Sequence, residues 1–200
     1  MLVERKPAHH KIQRDGTAIE EGTGSYSINP ARYYPNGELS TVATYGYLYN
    51  WKAVMRDDIS SNANHSGVQG SCPTGWHVPS KAGWDQLMDY VSGPDVYACY
   101  GDTQKIAKAL ASTFGWLSSY TNCAPGKNMD ENNATGLGLP PAGYRDQSAN
   151  GFGDQATFWS STEMNNTYAR NIYINYDLTS VDKNHSSNKD VGNSVRCIRN

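Results

Sequence analysis

Three short segments near the C-terminus, FWSST (158–162), NIYINYDL (171–178) and NSVRCIRN (193–200), read as strands joined by polar loops. The clearest helical pattern lies upstream, where Trp84, Leu87, Met88 and Val91 follow i, i+3, i+4, i+7 spacing. Ser80 is placed to cap that helix and Ser92-Gly93-Pro94 to stop it. A second helix is expected to start after Asp102 and run through Ala111, burying Ile106, Ala107 and Leu110. Helices first and strands last make an α+β fold: two helices packed on a small, mostly antiparallel sheet with long loops.

Residues 1–24 are polar and without period, which predicts an N-terminal arm leading into one domain at 25–200. Pro35-Asn36-Gly37 is a turn signal, and YGYLYNWKAVM (45–55) reads as a strand running into a short helix. GWHVPS (75–80) is a short strand ended by Pro79, and LGLPPAGYRD (137–146) an extended segment and turn. Residues 57–71 and 118–138 are polar loops.

A chain of 200 residues can bury a substantial core, although only 38% of it is apolar and the mean hydropathy is -0.68. Fourteen Tyr and five Trp supply part of the missing burial while keeping a polar handle. A net charge of -2 with no basic stripe argues against nucleic acid as a partner. No run approaches the roughly 20 apolar residues that cross a bilayer, so direct membrane insertion is not expected. The low charge and the many Asn, Ser, Gly and Tyr suit an extracellular, cell-surface or virion protein. MLVERKPAHHKIQRDG has no apolar signal-peptide core, which leaves a trimmed leader or another exit route, such as a phage particle.

Four cysteines allow three pairings. Cys72 precedes a strand-like segment and Cys197 lies in the C-terminal strand, which favours Cys72–Cys197 with Cys99–Cys123 as its complement. Four buried free thiols are the alternative. His9, His10 and His77 lack a second ligand at useful spacing, and Asp57-Asp58 and Asp130-Glu131 are sequence neighbours that point apart, so no metal and no cofactor is expected. A Cys72–His77 nucleophile would put its partners on opposite faces of a strand, and GLGLPPAG lacks the lysine of a phosphate loop. No catalytic residues are expected.

In NNTYARNIYINYD (165–177), Ile172 and Ile174, with Leu178 beyond, form an inner face. Asn171, Tyr173, Asn175 and Asp177 form the other. Tyr offers large contact area at little rotamer entropy, and Asn offers adaptable hydrogen bonds, so this face suits recognition. A merely solvated face is the plainer alternative. Trp159 and Arg145 are expected to support the scaffold.

LYNW (48–51), CPTGWHVPSKAGWDQL (72–87), LPPAGYRD (139–146), FWSST and SVRCIRN (194–200) together resemble the Fibrobacter succinogenes major paralogous domain family. That family is similar to the C-type-lectin-like superfamily, which implies a compact helix-and-sheet scaffold presenting variable loops. The GWHVPS-helix element resembles the formylglycine-generating branch, with Gly83 where an acidic residue is usual; no equivalent of that branch's cysteine pair can be placed. The Glu-Pro-Asn and Gln-Pro-Asp signatures of calcium-dependent lectins are absent. The resemblance extends to variable proteins of diversity-generating retroelements, in which Asn codons near the C-terminus are converted. It implies a ligand-binding set of Asn165, Asn166, Tyr168, Asn171, Tyr173, Asn175, Tyr176, Asp177, Asn184, His185 and Asn188. The expected partner is a protein or glycan on another cell, bound without catalysis, and an oligomer is open. The alternative is a structural part of a surface assembly or phage tail tip.

Overall fold

The computed structural model describes residues 19–22, 27–93 and 97–200. Its first unit is a small sheet in which β1 (Glu20–Glu21) runs parallel to β2 (Ala31–Tyr33), and β2 pairs antiparallel with β3 (Leu48–Tyr49). Pro35-Asn36-Gly37 turns the chain, with Asn36 and Gly37 both at positive φ, and a single turn of helix, α1 (Val42–Tyr45), follows. Within the span expected to form an arm, residues 19–22 are built into the fold: Ile19 is fully buried and the segment extends this sheet. The rest of the arm lies outside the described residues.

Asn50 links β3 to α2 (Trp51–Met55). Its side-chain oxygen accepts from the amides of Ala53, as a helix cap, and of Ala31, while Nδ2 donates to the carbonyls of Ser27 and Asn29. One fully buried amide thus fixes the helix start and two neighbouring segments. After the polar loop, β4 (Trp76–His77) leads into α3 (Lys81–Ser92), which spans the expected residues and buries Trp84, Met88 and Val91. Ser80 Oγ accepts from the Gly83 amide at 3.0 Å.

The second helix is far shorter than its expected span. Only α4 (Ala107–Leu110) forms: upstream, the Lys105 amide donates to the Asp102 carbonyl, the Gln104 amide to Asp102 Oδ1 and the Ala107 amide to the Thr179 carbonyl, so residues 103–106 are held outside the helix; downstream, the extended Ala111 bridges Leu139. Ile106, Ala107 and Leu110 are buried as expected.

The C-terminal half carries the main sheet. β5 (Tyr144–Arg145) pairs with β6 (Ala149–Asn150), and β7 (Gln155–Glu163), β8 (Tyr168–Asn175) and β9 (Ser186–Asn188) form an antiparallel three-stranded sheet in that order. β10 (Ile198–Arg199) returns to pair with β4. The architecture is α+β, with few helices and several small, mostly antiparallel sheets. No described helix is long and apolar enough to cross a membrane.

Two cores meet at β7 and β8. Ala156, Phe158, Ile172 and Ile174 pack with Trp84, Met88, Val91 and Leu110 on one face. Trp159 and Ala169 pack with Tyr49, Trp51, Val54 and Val195 in the other. Indole donors tie these layers together: Trp159 Nε1 to the Tyr49 carbonyl at 2.7 Å, Trp51 Nε1 to that of Ser160 at 2.9 Å, and Trp84 Nε1 to that of Trp159 at 3.3 Å. Leu178, expected inside, is half exposed, because β8 ends at Asn175 and the chain turns before reaching it.

Residues 192–194 thread between the sheets. Gly192 pairs with Arg145, Asn193 with Tyr49, and the Ser194 backbone with Thr157 and Trp159. Disulfides join Cys72 to Cys197 and Cys99 to Cys123, and the described residues hold no free cysteine.

Candidate functional site

The alternation in β8 holds: Asn171, Tyr173 and Asn175 share one face and Ile172 and Ile174 the other. The polar face is only half open, however. At one end, Asn171 lies opposite Trp159, whose indole belongs to the second core, and there Asn171 is buried to 2% exposure. At the other end, Tyr173 and Asn175 face Thr157 and Gln155 across the ladder, with no core laid over them.

That open end is a hollow of about 320 Å3. Tyr144, Tyr173 and His185 supply its rings. Gln155, Thr157, Ser187 and Asn193 supply amides and hydroxyls. Tyr173 and His185 stack at 5.1 Å with their planes 22° apart. His185 Nδ1 donates to Asn171 Oδ1 at 2.7 Å, and Asn171 Nδ2 donates to Ser187 Oγ at 2.8 Å. The buried asparagine therefore sets the tautomer and angle of the half-buried imidazole and leaves its Nε2 as an acceptor.

Tyr173 is held from the other side. Asn175 Nδ2 donates to the Tyr173 hydroxyl at 3.1 Å and to Asp154 Oδ1 at 2.8 Å. Burial raises the Tyr173 phenol above its ordinary pKa and lowers the His185 imidazole below its own, so both rings are neutral near pH 7. Beneath them Asn193 is fully buried, and neither atom of its side-chain amide has a hydrogen-bond partner among the described residues.

The eleven residues of the expected set fall into four groups. Tyr173 and His185 line the hollow, with Asn175 bracing the Tyr173 hydroxyl and Asn171 as a buried support. Asn171 is thus corrected from the exposed face to a position beneath it. Asn165, Asn166, Tyr168 and Asn188 gather at the β7–β8 turn; Asn165 Oδ1 caps the turn by accepting from the amides of Thr167 and Tyr168, and Asn166 and Asn188 line a separate hollow of about 420 Å3 beside Trp51 and Asp58. Asn184 is exposed in the β8–β9 loop, and its carbonyl accepts from Arg170 Nη1.

Tyr176 and Asp177 do not join the face. Tyr176 packs against the helix-side core, and Asp177 accepts hydrogen bonds from Ser119 and Thr121, which hold its carboxyl below the usual carboxylate range. Gln155, Thr157, Ser187, Asn193 and Tyr144 complete the hollow without having been expected there. Gln155 and Thr157 carry a sequence signal, since they alternate with Ala156 and Phe158; Asn193 carries none, because its place depends on how the C-terminal segment threads.

Elsewhere, His77 is buried against Asn200, with Nδ1 2.7 Å from Asn200 Oδ1, and it stacks on His65 at 5.7 Å. Cys72 is held in its disulfide and offers His77 no thiol. Asp58 accepts from the Gly70 amide, and Glu131 lies 3.7 Å from Lys108. No three His, Cys, Asp or Glu side chains converge among the described residues. His9 and His10 lie outside them. Trp159 is wholly buried, and Arg145 lies over the Tyr33 ring, both within the scaffold.

No curated protein and no solved structure matches the chain. The family model described as the Fibrobacter succinogenes major domain matches residues 5–199. It therefore spans every described sheet, both cores and every residue of the hollow, as well as most of the expected arm. This chain belongs to the Fibrobacter succinogenes major domain family.

Proposed function

We propose that the chain is a non-enzymatic recognition module with a C-type-lectin-like scaffold, which binds a protein or glycan on another cell through the open end of the β7–β8–β9 face. The observation that carries this reading is the Tyr173–His185 stack, held in place by Asn171, Asn175 and Asp154. Side chains already fixed by their neighbours lose little freedom when a partner docks, which lowers the cost of binding. The Tyr, Asn and Ser here are residue types in which antibody loops are enriched. Tyr168 and the asparagines at the β7–β8 turn, at the other end of β8, would offer a second exposed patch, and Asn-rich coding there is the material that retroelement diversification acts upon. Two disulfides fit an extracellular, cell-surface or virion setting.

The test replaces Tyr173 and Asn175 together by Ala and measures binding to intact cells and to arrays of extracellular proteins and glycans. A hot-spot tyrosine is worth about 1–3 kcal/mol, so binding should fall roughly tenfold or more at a temperature where thermal melts show the variant still folded. Binding equal to that of the parent would remove this face from consideration.

A further inference from the structure

We infer that the hollow between Tyr144, Tyr173 and Asn193 is a subsite for one neutral sugar ring, an uncharged hexopyranose unit of a glycan. The inference rests on the recognition reading and narrows its ligand class.

Three features select this chemistry. The lining side chains end in hydroxyl, amide or imidazole groups, and none carries a formal charge at neutral pH. The nearest carboxylates are otherwise placed: Asp154 is bonded to Asn175, and Asp182 pairs through its backbone with Tyr173. A charged ligand would therefore be desolvated with no counter-charge in the lining, which is costly. The lining also contains no aliphatic side chain, so an acyl chain would find no apolar bed. At about 320 Å3, the hollow sits at the lower end of the ~300–1,000 Å3 range of ligand pockets, suited to a single ring.

The second feature is the planar wall. The stacked Tyr173 and His185 rings, with Tyr144 nearby, present flat faces and edges against which the C–H face of a pyranose can pack. The third is Asn193. A buried amide with neither its donor nor its acceptor used costs free energy in the unliganded protein. Sugar hydroxyls both donate and accept, so two adjacent hydroxyls answer an amide's N–H and C=O together. Thr157, Gln155 and Ser187 surround that position with more groups of the same kind.

The experiment titrates the isotopically labelled full chain with the methyl glycosides of mannose, glucose and galactose, and with glucuronate and N-acetylneuraminate as charged controls. Concentrations run to about 50 mM, because a single-ring ligand is expected in the millimolar range. At least one neutral glycoside should shift the side-chain resonances of Asn193, Gln155 and His185, and the charged sugars should not. Thr157→Val and Ser187→Ala should each weaken that binding by about tenfold, as loss of one good hydrogen bond does. Asn193→Ala alone is a poor variant, since its removal leaves a void in the core, and the two hydroxyl variants stand in for it. If no neutral sugar perturbs these groups while the Tyr173/Asn175 double variant still loses cell binding, the sugar subsite is wrong and the recognition face stands. If the double variant binds cells like the parent, the recognition reading fails as well. Shifts confined to other parts of the protein, or equal shifts with the charged sugars, also overturn the subsite.

Discussion

His185 shows how one buried neighbour turns an ordinary surface residue into a defined group. Asn171 Oδ1 accepts from its Nδ1, Tyr173 covers its face, and burial lowers its pKa, opposed only weakly by Asp182. As pH falls, the unfolded chain, titrating near 6.5, takes up the proton before the folded one does. The stability due to neutral His185 is therefore complete above about pH 6.5 and is lost as pH drops toward the lower folded value. His185→Gln should lose less thermal midpoint than the parent between about pH 7.5 and about pH 5; equal losses in thermal melts would show that the imidazole is not buried in its neutral form. Asn50 makes the same point at the other end of the chain. LYNW could be read as a strand meeting a helix, yet nothing in those letters shows that the asparagine bonds to four backbone groups. Partners 19 to 23 residues upstream make it a hub, and only folding brings them there.

At the scale of elements, local signals succeeded where a segment satisfies its own backbone. α3 is such a case, with a period-3.6 apolar stripe, a serine cap and an end at Gly93. Ser80 does more than cap, since its hydroxyl also donates to the Ala63 carbonyl at 2.7 Å and ties the polar loop to the helix start. Ser80→Ala should destabilise the protein by about 1–2 kcal/mol, at the upper part of the range for caps, as read from urea midpoints. A change under about 0.3 kcal/mol would mean that water replaces both bonds. α4 is the opposite case. Its sequence supports a longer helix, but the Asp102–Lys105 turn and the Thr179 carbonyl on the Ala107 amide delay its start, and Ala111 and Leu139 pair and end it, so hydrogen bonds outside the helix override propensity. β8 stands between the two: its alternation was readable, whereas the burial of Asn171 was not, because alternation says which side a residue faces and not what lies there.

Across the whole molecule, short strands and single helical turns are held together by long-range links more than by any one large sheet. Residues 192–194 bond to three separate strands, and Cys197 then closes a span of 125 residues to Cys72. Cys99–Cys123 closes only 24. If loop entropy dominates, removing Cys72–Cys197 by paired Ala substitution should cost about 4–5 kcal/mol and removing Cys99–Cys123 about 3 kcal/mol, measured by chemical denaturation. The reverse order would place the stabilisation in local packing instead. By itself the sequence determined what depends on near neighbours: the α+β class, the main helix with its cap, the alternating strand, and the motifs that mark the family. Tertiary structure decided which part of the polar face stays open, that Asn171 works from beneath it, that Tyr176 and Asp177 turn elsewhere, and that Asn193 arrives under the hollow. The physical reason is that periodicity is a property of a few consecutive residues, whereas a site is made where distant segments cross, and its shape depends on which core covers which end of a strand.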